Sequence, residues 1–259
     1  MPKIADAGDE EVYQIPGSNF TFTGARLKHL VEAKYTLVTV AVDLTGSTAP
    51  FAKELREMLV ATINSCKKSP QTGNLLAQNN NLLVRVITFS TIYEKDGVRE
   101  LHGFKLLKDI DPTGYPQFRP DGMTPLFNAI YSAIGAMLEY GGELMADDYL
   151  VNGIVFIITD GVDNRSTMTA RMIKDQIAKV TQEEKLESLI TVLIGINATE
   201  FRPELENFRT EAGLTQYIDM GEVTPSKLAK LGGFISQSVS SQSQAIGTGG
   251  PSKNIAPTI

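Results

Sequence analysis

Cysteine is almost absent from this 259-residue chain, which narrows the available chemistry at once. With Cys66 alone, neither an internal disulfide nor a cysteine-based zinc cluster can form, and this fits a reducing compartment. Histidine occurs only at His29 and His102, and His29 has no metal-ligand partner near it in sequence. Basic clusters are missing as well: Lys67-Lys68 is only a pair, and the formal net charge is -6 with a pI near 5.1. That balance argues against nucleic acid or an anionic membrane as the main partner, because both reward clustered Lys and Arg. No uncharged stretch approaches the roughly 18 residues of a membrane span. Residues 1–11 are acidic and lack the apolar core of a signal peptide, so a cytoplasmic location is expected.

The composition that remains, 42% hydrophobic and 21% charged, is that of a globular chain long enough to bury a substantial core. Its most informative stretch is Tyr35 to Ser47. The run Tyr-Thr-Leu-Val-Thr-Val-Ala-Val is uncharged and rich in β-branched residues, as a strand buried on both faces of a parallel sheet requires. It stops at Asp43, and Thr45 and Ser47 follow in the loop at the strand's carboxyl end, where open α/β sheets hold ligands.

Strands and helices then alternate. A helix beginning near Pro50 has Phe51, Leu55, Met58, Leu59, Ile63 and Cys66 on one face, which makes the thiol a small core hydrophobe. Ser69 to Asn81 reads as a loop. Leu82 to Ser90 is a second strand, and the Asp96-Gly97 turn leads to a third over Val98 to Phe104, whose charges mark an antiparallel edge. Thr124-Pro125 opens a helix that Gly141-Gly142 is expected to end. Gly153 to Thr159 is a second fully buried strand, and it too stops at a carboxylate, Asp160. Further strands over Leu189 to Ile196 and Thr215 to Met220, with helices at about 167–184, 201–212 and 228–239, complete the pattern.

These elements imply one α/β domain over residues 35–240. It is a doubly wound, mostly parallel six-stranded sheet of order 3-2-1-4-5-6 with one antiparallel edge strand, flanked by helices. Residues 1–34 read as an irregular leader with a short amphipathic piece at Leu27, Leu30 and Val31. Residues 241–259, rich in Ser, Gln and Gly, read as a flexible tail.

In that strand order the ends of the two most apolar strands are neighbours, and Asp43, Thr45, Ser47, Thr124 and Asp160 converge at the switch point. Singly, each has an ordinary role: Thr45 and Ser47 can cap or turn the chain, Thr124 can cap a helix, and Asp160-Gly161 can turn. Jointly, two carboxylates and three hydroxyls suit a hard divalent cation, Mg²⁺ first, with Mn²⁺ or Ca²⁺ as alternatives.

The pattern Asp43-x-Thr45-x-Ser47, then Thr124, then Asp160-Gly161 after an Ile-Ile-Thr strand end resembles the von Willebrand factor A domain family, with its metal-ion-dependent adhesion site, over about residues 35–240. The resemblance implies that Thr45 and Ser47 coordinate the ion directly and that Thr124 does so directly or through water. It implies further that Asp43 and Asp160 act mainly through water and that an acidic side chain of a partner protein completes the shell. There are two departures. Thr45 stands for the usual first Ser, and Asp121-Gly122-Met123-Thr124 replaces a Gly-Gly-Thr type of loop, so Met123 bears on the path that brings in Thr124.

The expected function is therefore a metal-dependent protein-protein interaction module, an adaptor or assembly component with no catalytic residues. A neighbouring copy offers a second source of the acidic group through Asp9, Glu10 or Glu11, which would give a homo-oligomer. The competing reading is a Mg²⁺-dependent phosphohydrolase of haloacid-dehalogenase type, with Asp43 as nucleophile, although Thr45 stands where such enzymes usually carry a second Asp. A further alternative is a structural scaffold with a vestigial metal site. Asp163 and His102 are the available bases, and both read more simply as turn and strand residues.

Overall fold

The two uninterrupted apolar runs form the centre of the sheet. In the computed structural model, which describes residues 10–25, 33–68, 81–183 and 185–247, they become neighbouring parallel strands. Along the chain the strands are β1 (Glu10–Gln14), β2 (Thr21–Ala25), β3 (Lys34–Asp43), β4 (Leu82–Phe89), β5 (Val98–Leu106), β6 (Leu150–Thr159), β7 (Ser188–Gly195) and β8 (Gln216–Asp219). They lie in the order β1-β2-β5-β4-β3-β6-β7-β8. β3 is flanked in parallel by β4 and β6, with Val42 opposite both Thr88 and Ile158, so the two carboxylate-bearing ends emerge side by side.

The expected six-stranded sheet is thus corrected to eight strands. Those six keep their relative positions, and a hairpin from the supposed leader is added outside them. β1 and β2 pair antiparallel, and β2 runs parallel to β5, so β5 is not an edge. Glu10 is tied to Lys105 Nζ at 2.7 Å, and Glu11 accepts from the Tyr13 hydroxyl. The hairpin is anchored by aromatic packing: Tyr13 stacks on Phe22, Phe104 stacks on Tyr140, and Phe22 meets Phe104 edge-on. Asp9, the amphipathic piece at Leu27, Leu30 and Val31, His29, and nearly all of the 69–81 loop fall outside the described residues.

Five helices cover the sheet: α1 (Ala52–Lys68), α2 (Leu126–Ala146), α3 (Ala170–Gln182), α4 (Arg202–Ala212) and α5 (Pro225–Gly247). One core joins the β1–β2 hairpin, α2, α3 and α4 to one face of the sheet, and a second joins α1 and α5 to the other. Cys66 lies buried in the second core, as the helical period requires.

Two helix boundaries differ from the sequence reading. α2 runs through Gly141-Gly142 to Ala146. A Cβ on Gly141 would come within 2.3 Å of Leu186 Cδ2, so this glycine serves close packing and not a stop. α5 extends through Ser240 to Gly247, so residues 241–247 are helical where a flexible tail was expected. The Ser238, Ser240 and Ser241 hydroxyls donate to the carbonyls of Phe234, Ser236 and Gln237, which satisfies them within the helix.

Candidate functional site

The site is built where β3 and β6 end. Asp43, fully buried, accepts a hydrogen bond from the Thr45 backbone N–H at 2.9 Å on Oδ1 and one from the Thr159 hydroxyl at 2.8 Å on Oδ2. Past Leu44 the chain enters a 3₁₀ turn at Gly46–Phe51, in which the Thr48 N–H and hydroxyl both donate to Thr45 O. That turn places the Thr45 and Ser47 hydroxyls 3.2 Å apart, and Ser47 Oγ donates to Asp160 Oδ1 at 2.9 Å. Four of the five residues singled out in the sequence are therefore joined in one hydrogen-bonded chain.

Thr124 arrives by a different route. Gly46 N–H donates to Gly122 O, Asn164 N–H to Thr124 O, and Thr124 N–H to Asn164 Oδ1 at 2.8 Å, so its loop lies between the other two. These bonds hold Thr124 by its backbone, and it is not the cap of α2. Capping falls instead to Asp163, which accepts from Phe127 N–H. Gly122 has φ of 79°, and a Cβ there would meet Thr91 Oγ1 at 2.7 Å, so the turn into Thr124 requires glycine. Met123 is exposed at the lip and leaves the loop's attachment intact.

The electrostatics follow from burial. Loss of solvent, and then the neighbouring Asp160 charge, push the Asp43 carboxyl up to about 7 against the lowering effect of its hydrogen bonds. Burial raises Asp160 also, partly offset by the Ser47 hydroxyl. Among the described residues neither carboxylate has an ion-pair partner. The two carboxylates and the Thr45 and Ser47 hydroxyls are oxygen donors with no ion-pair partner among the described residues, a set of the kind that fits a hard divalent cation. No group of three or more His, Cys, Asp or Glu side chains is gathered among the described residues, so any cation here would depend on the hydroxyls.

Thr159 and Asn164 escaped the sequence reading. Thr159 could have been found as the hydroxyl that ends an apolar strand directly before Asp160; Asn164 had no local signal, because its partner is 40 residues away. His102 stacks on Tyr115, with Nε2 2.8 Å from the Tyr115 hydroxyl, and lies on β5 away from these loops.

No protein-family model matches the chain, and no curated protein matches it. Among solved structures it is similar to the pilus adhesin SpaC from Lactobacillus rhamnosus GG in its open conformation, with a TM-score of 0.54 and 13% identity over 85% of this chain. The matched region is 31% of SpaC, so this chain spans about a third of that protein. Looser likenesses are to proximal thread matrix protein 1 from the mussel byssus (TM-score 0.48, 18% identity, 80% of this chain and 48% of that one) and to the vWF domain of the type V pili tip protein Mfa5 from Porphyromonas gingivalis (TM-score 0.47, 10% identity, 87% and 99%). Among the described residues no helix is long and apolar enough to cross a membrane. At these identities the SpaC likeness bears on the fold alone: a mixed α/β domain with a mostly parallel sheet.

Proposed function

We propose that the chain is a von Willebrand factor A-like protein-interaction module. Asp43, Thr45, Ser47, Thr124 and Asp160 would hold a divalent cation, Mg²⁺ first, facing an acidic side chain of a partner protein. The observation that carries this reading is the Thr45–Ser47–Asp160 hydrogen-bonded chain beside a buried Asp43 that has no ion-pair partner among the described residues. Bound there, a divalent cation supplies an electrophilic centre able to accept a carboxylate oxygen. The protein's part is to orient the donors: Thr159 and the Thr45 N–H fix the Asp43 carboxylate, and the 3₁₀ turn fixes the two hydroxyls.

The phosphohydrolase reading, with Asp43 as nucleophile, stays second to this one. Both Asp43 oxygens accept hydrogen bonds and the side chain is fully buried, whereas a nucleophile must reach its substrate. Asp163 is occupied as a cap.

The test is a pair of measurements on the full chain. Thermal melts in EDTA and in Mg²⁺ should show stabilisation of about 1.4 kcal/mol at tenfold the dissociation constant. A pull-down from native extract should retain a partner in Mg²⁺ and release it in EDTA. Asp43→Ala should abolish both responses. A wild-type protein indifferent to Mg²⁺ in the melt and in the pull-down would overturn the proposal.

A further inference from the structure

A second feature lies between the first turn of α2 and α4, beside the loop that follows Asp160. A cavity of about 310 Å³ opens there, lined by Leu126, Phe127, Leu205 and Phe208, with Val162 and Asp163 of that loop in its wall. Phe127 stacks on Phe208 with ring centres 4.3 Å apart, so the apolar lining ties the two helices together. The cavity shares none of the five proposed metal-site residues.

The charge around this cavity is of one sign. Leu205, Phe208 and Ala212 form the buried face of α4, and Glu204, Asn207 and Glu211 form the exposed stripe beside it. An acidic helix face is ordinarily a solvated one, but this stripe edges an apolar cavity, with Asp163 on another wall. Asp163 is fixed by bonds donated from the Phe127 N–H, the Ser166 N–H and the Ser166 hydroxyl. Among the described residues none of the three carboxylates has an ion-pair partner, and no Lys or Arg is in the lining. Glu204 and Glu211 stand two turns apart, about 10 Å along the helix, with Asn207 and Phe208 between them. A cation over Phe208 is therefore about 5 Å along the axis from each, within the span of a glutamate side chain.

We infer that this cavity takes an arginine side chain of a partner protein, its stem against Phe127 and Val162 and its guanidinium between Glu204 and Glu211. Arginine suits the lining better than lysine, because its planar, weakly hydrated cation stacks on aromatic rings and bonds two carboxylates at once. A purely apolar side chain would fill the space but draw water from the carboxylates without supplying a counter-charge, and an acidic one would be repelled. Val162 and Asp163 follow closely on Asp160, so an occupant lies next to the metal-site loop and one partner can engage both. The inference does not rest on the metal reading, since it uses none of the same side chains.

The experiment is a titration of the isotope-labelled full chain, followed by amide chemical shifts in EDTA and again in Mg²⁺, with N-acetylarginine amide, N-acetylcitrulline amide and N-acetylnorleucine amide as probes. The arginine derivative should shift the amides of Phe127, Val162, Glu204 and Phe208 saturably at millimolar concentration, in EDTA and in Mg²⁺ alike. Citrulline keeps the shape and loses the charge, and norleucine offers only an apolar stem; each should bind at least tenfold more weakly. Glu204→Gln and Glu211→Gln should each weaken arginine binding about threefold, and together about tenfold. The melting temperature should not fall, because both side chains are exposed and unpaired. No saturable shift of these four amides, equal binding of the citrulline or norleucine derivative, or an unchanged affinity in the double variant would overturn the inference. Arginine binding is read in EDTA and the metal site in Mg²⁺ melts, so either proposal can fail alone.

Discussion

Ser47 donates a 2.9 Å hydrogen bond to Asp160 across 113 residues of sequence, closing the loop after β3 onto the loop after β6. The bond is partly open to solvent, so in metal-free protein it is worth only about 1 kcal/mol. As a proposed direct ligand, Ser47 should matter far more to the ion. Ser47→Ala is expected to lower Mg²⁺ affinity at least tenfold, about 1.4 kcal/mol, with little change in the melting temperature in EDTA. Titration calorimetry and melts on one preparation separate the two effects. Undiminished Mg²⁺ affinity would remove Ser47 from the ligand set.

Asp43 should behave in the opposite way. Its carboxyl is held near 7 by burial and by Asp160, so above that pH the metal-free fold carries a buried charge with no ion-pair partner among the described residues. Asp43→Asn removes that charge and keeps an oxygen to accept from the Thr45 N–H. In EDTA at pH 7.5 the variant should be as stable as wild type, or more stable by about 1 kcal/mol, and it should lose the stabilisation that Mg²⁺ gives. A variant that melts well below wild type in EDTA would show that Asp43 supports the fold in its charged form.

The positions of both carboxylates were legible because β3 and β6 hold long uncharged, largely apolar runs, and the charge comes where each run stops. The hairpin was not legible. Glu10–Gln14 and Thr21–Ala25 are short, largely polar and joined by a Gly-Ser turn, and they pair locally while their aromatics, the half-buried Tyr13 and the buried Phe22, find partners on α2 and β5. The only local signal was Phe20 and Phe22 two residues apart. The end of α5 misled for another reason: serines that bond back to their own helix look, by composition, like a linker. Thr124 was singled out in the sequence, but what holds its loop, Asn164, was not, because a backbone-to-side-chain bond across 40 residues leaves no pattern in sequence.

His102 supplies a pH dependence separate from the site. Burial holds its imidazole below the ordinary 6.5, with a smaller contribution in the same direction from Lys105, against the raising effect of the Gly103 carbonyl. The unfolded chain therefore takes up the proton at higher pH than the folded one. The neutral ring's contribution is complete above 6.5 and is lost as pH falls through the window below it. His102→Gln should flatten the fall in denaturation midpoint between about pH 7 and pH 5. A slope identical to wild type would place the titration elsewhere.

Arg85 is fully buried in β4, with Nε 2.7 Å from Glu100 Oε2 and its guanidinium 5.7 Å from the Phe22 ring centre. Glu100 in turn accepts from the N–H and hydroxyl of Thr23, so one ion pair joins β4, β5 and the hairpin. Arg85→Met leaves Glu100 without its cation and should cost about 3 kcal/mol. Adding Glu100→Gln should recover part of that loss, so the double variant is more stable than the sum of the singles predicts. Strict additivity in denaturant melts would mean that the pair is not coupled.

Gly103 marks the place where the hairpin meets the rest of the sheet. A Cβ there would lie 1.9 Å from Thr23 O and 2.1 Å from its hydroxyl, and the first of these is backbone that cannot yield without moving β2. β2 is matched to β5 in the ladder only at Gly24 opposite Phe104, and the Thr23–Glu100 bonds and the Phe22–Phe104 contact beside it would be displaced by such a push. Gly103→Ala should lift the hairpin, uncover Phe22 and Phe104, and lower stability by about 2 kcal/mol. The damage should be local. Amide exchange should quicken across β1 and β2 while the amides of Thr45 and Asp121, at the opposite end of the sheet's polar loops, keep their protection. If the hairpin amides exchanged at wild-type rates, the close approach of Thr23 would not be what seats the hairpin, and the aromatic packing of Tyr13 and Phe22 with the Glu10–Lys105 and Thr23–Glu100 contacts would hold it instead.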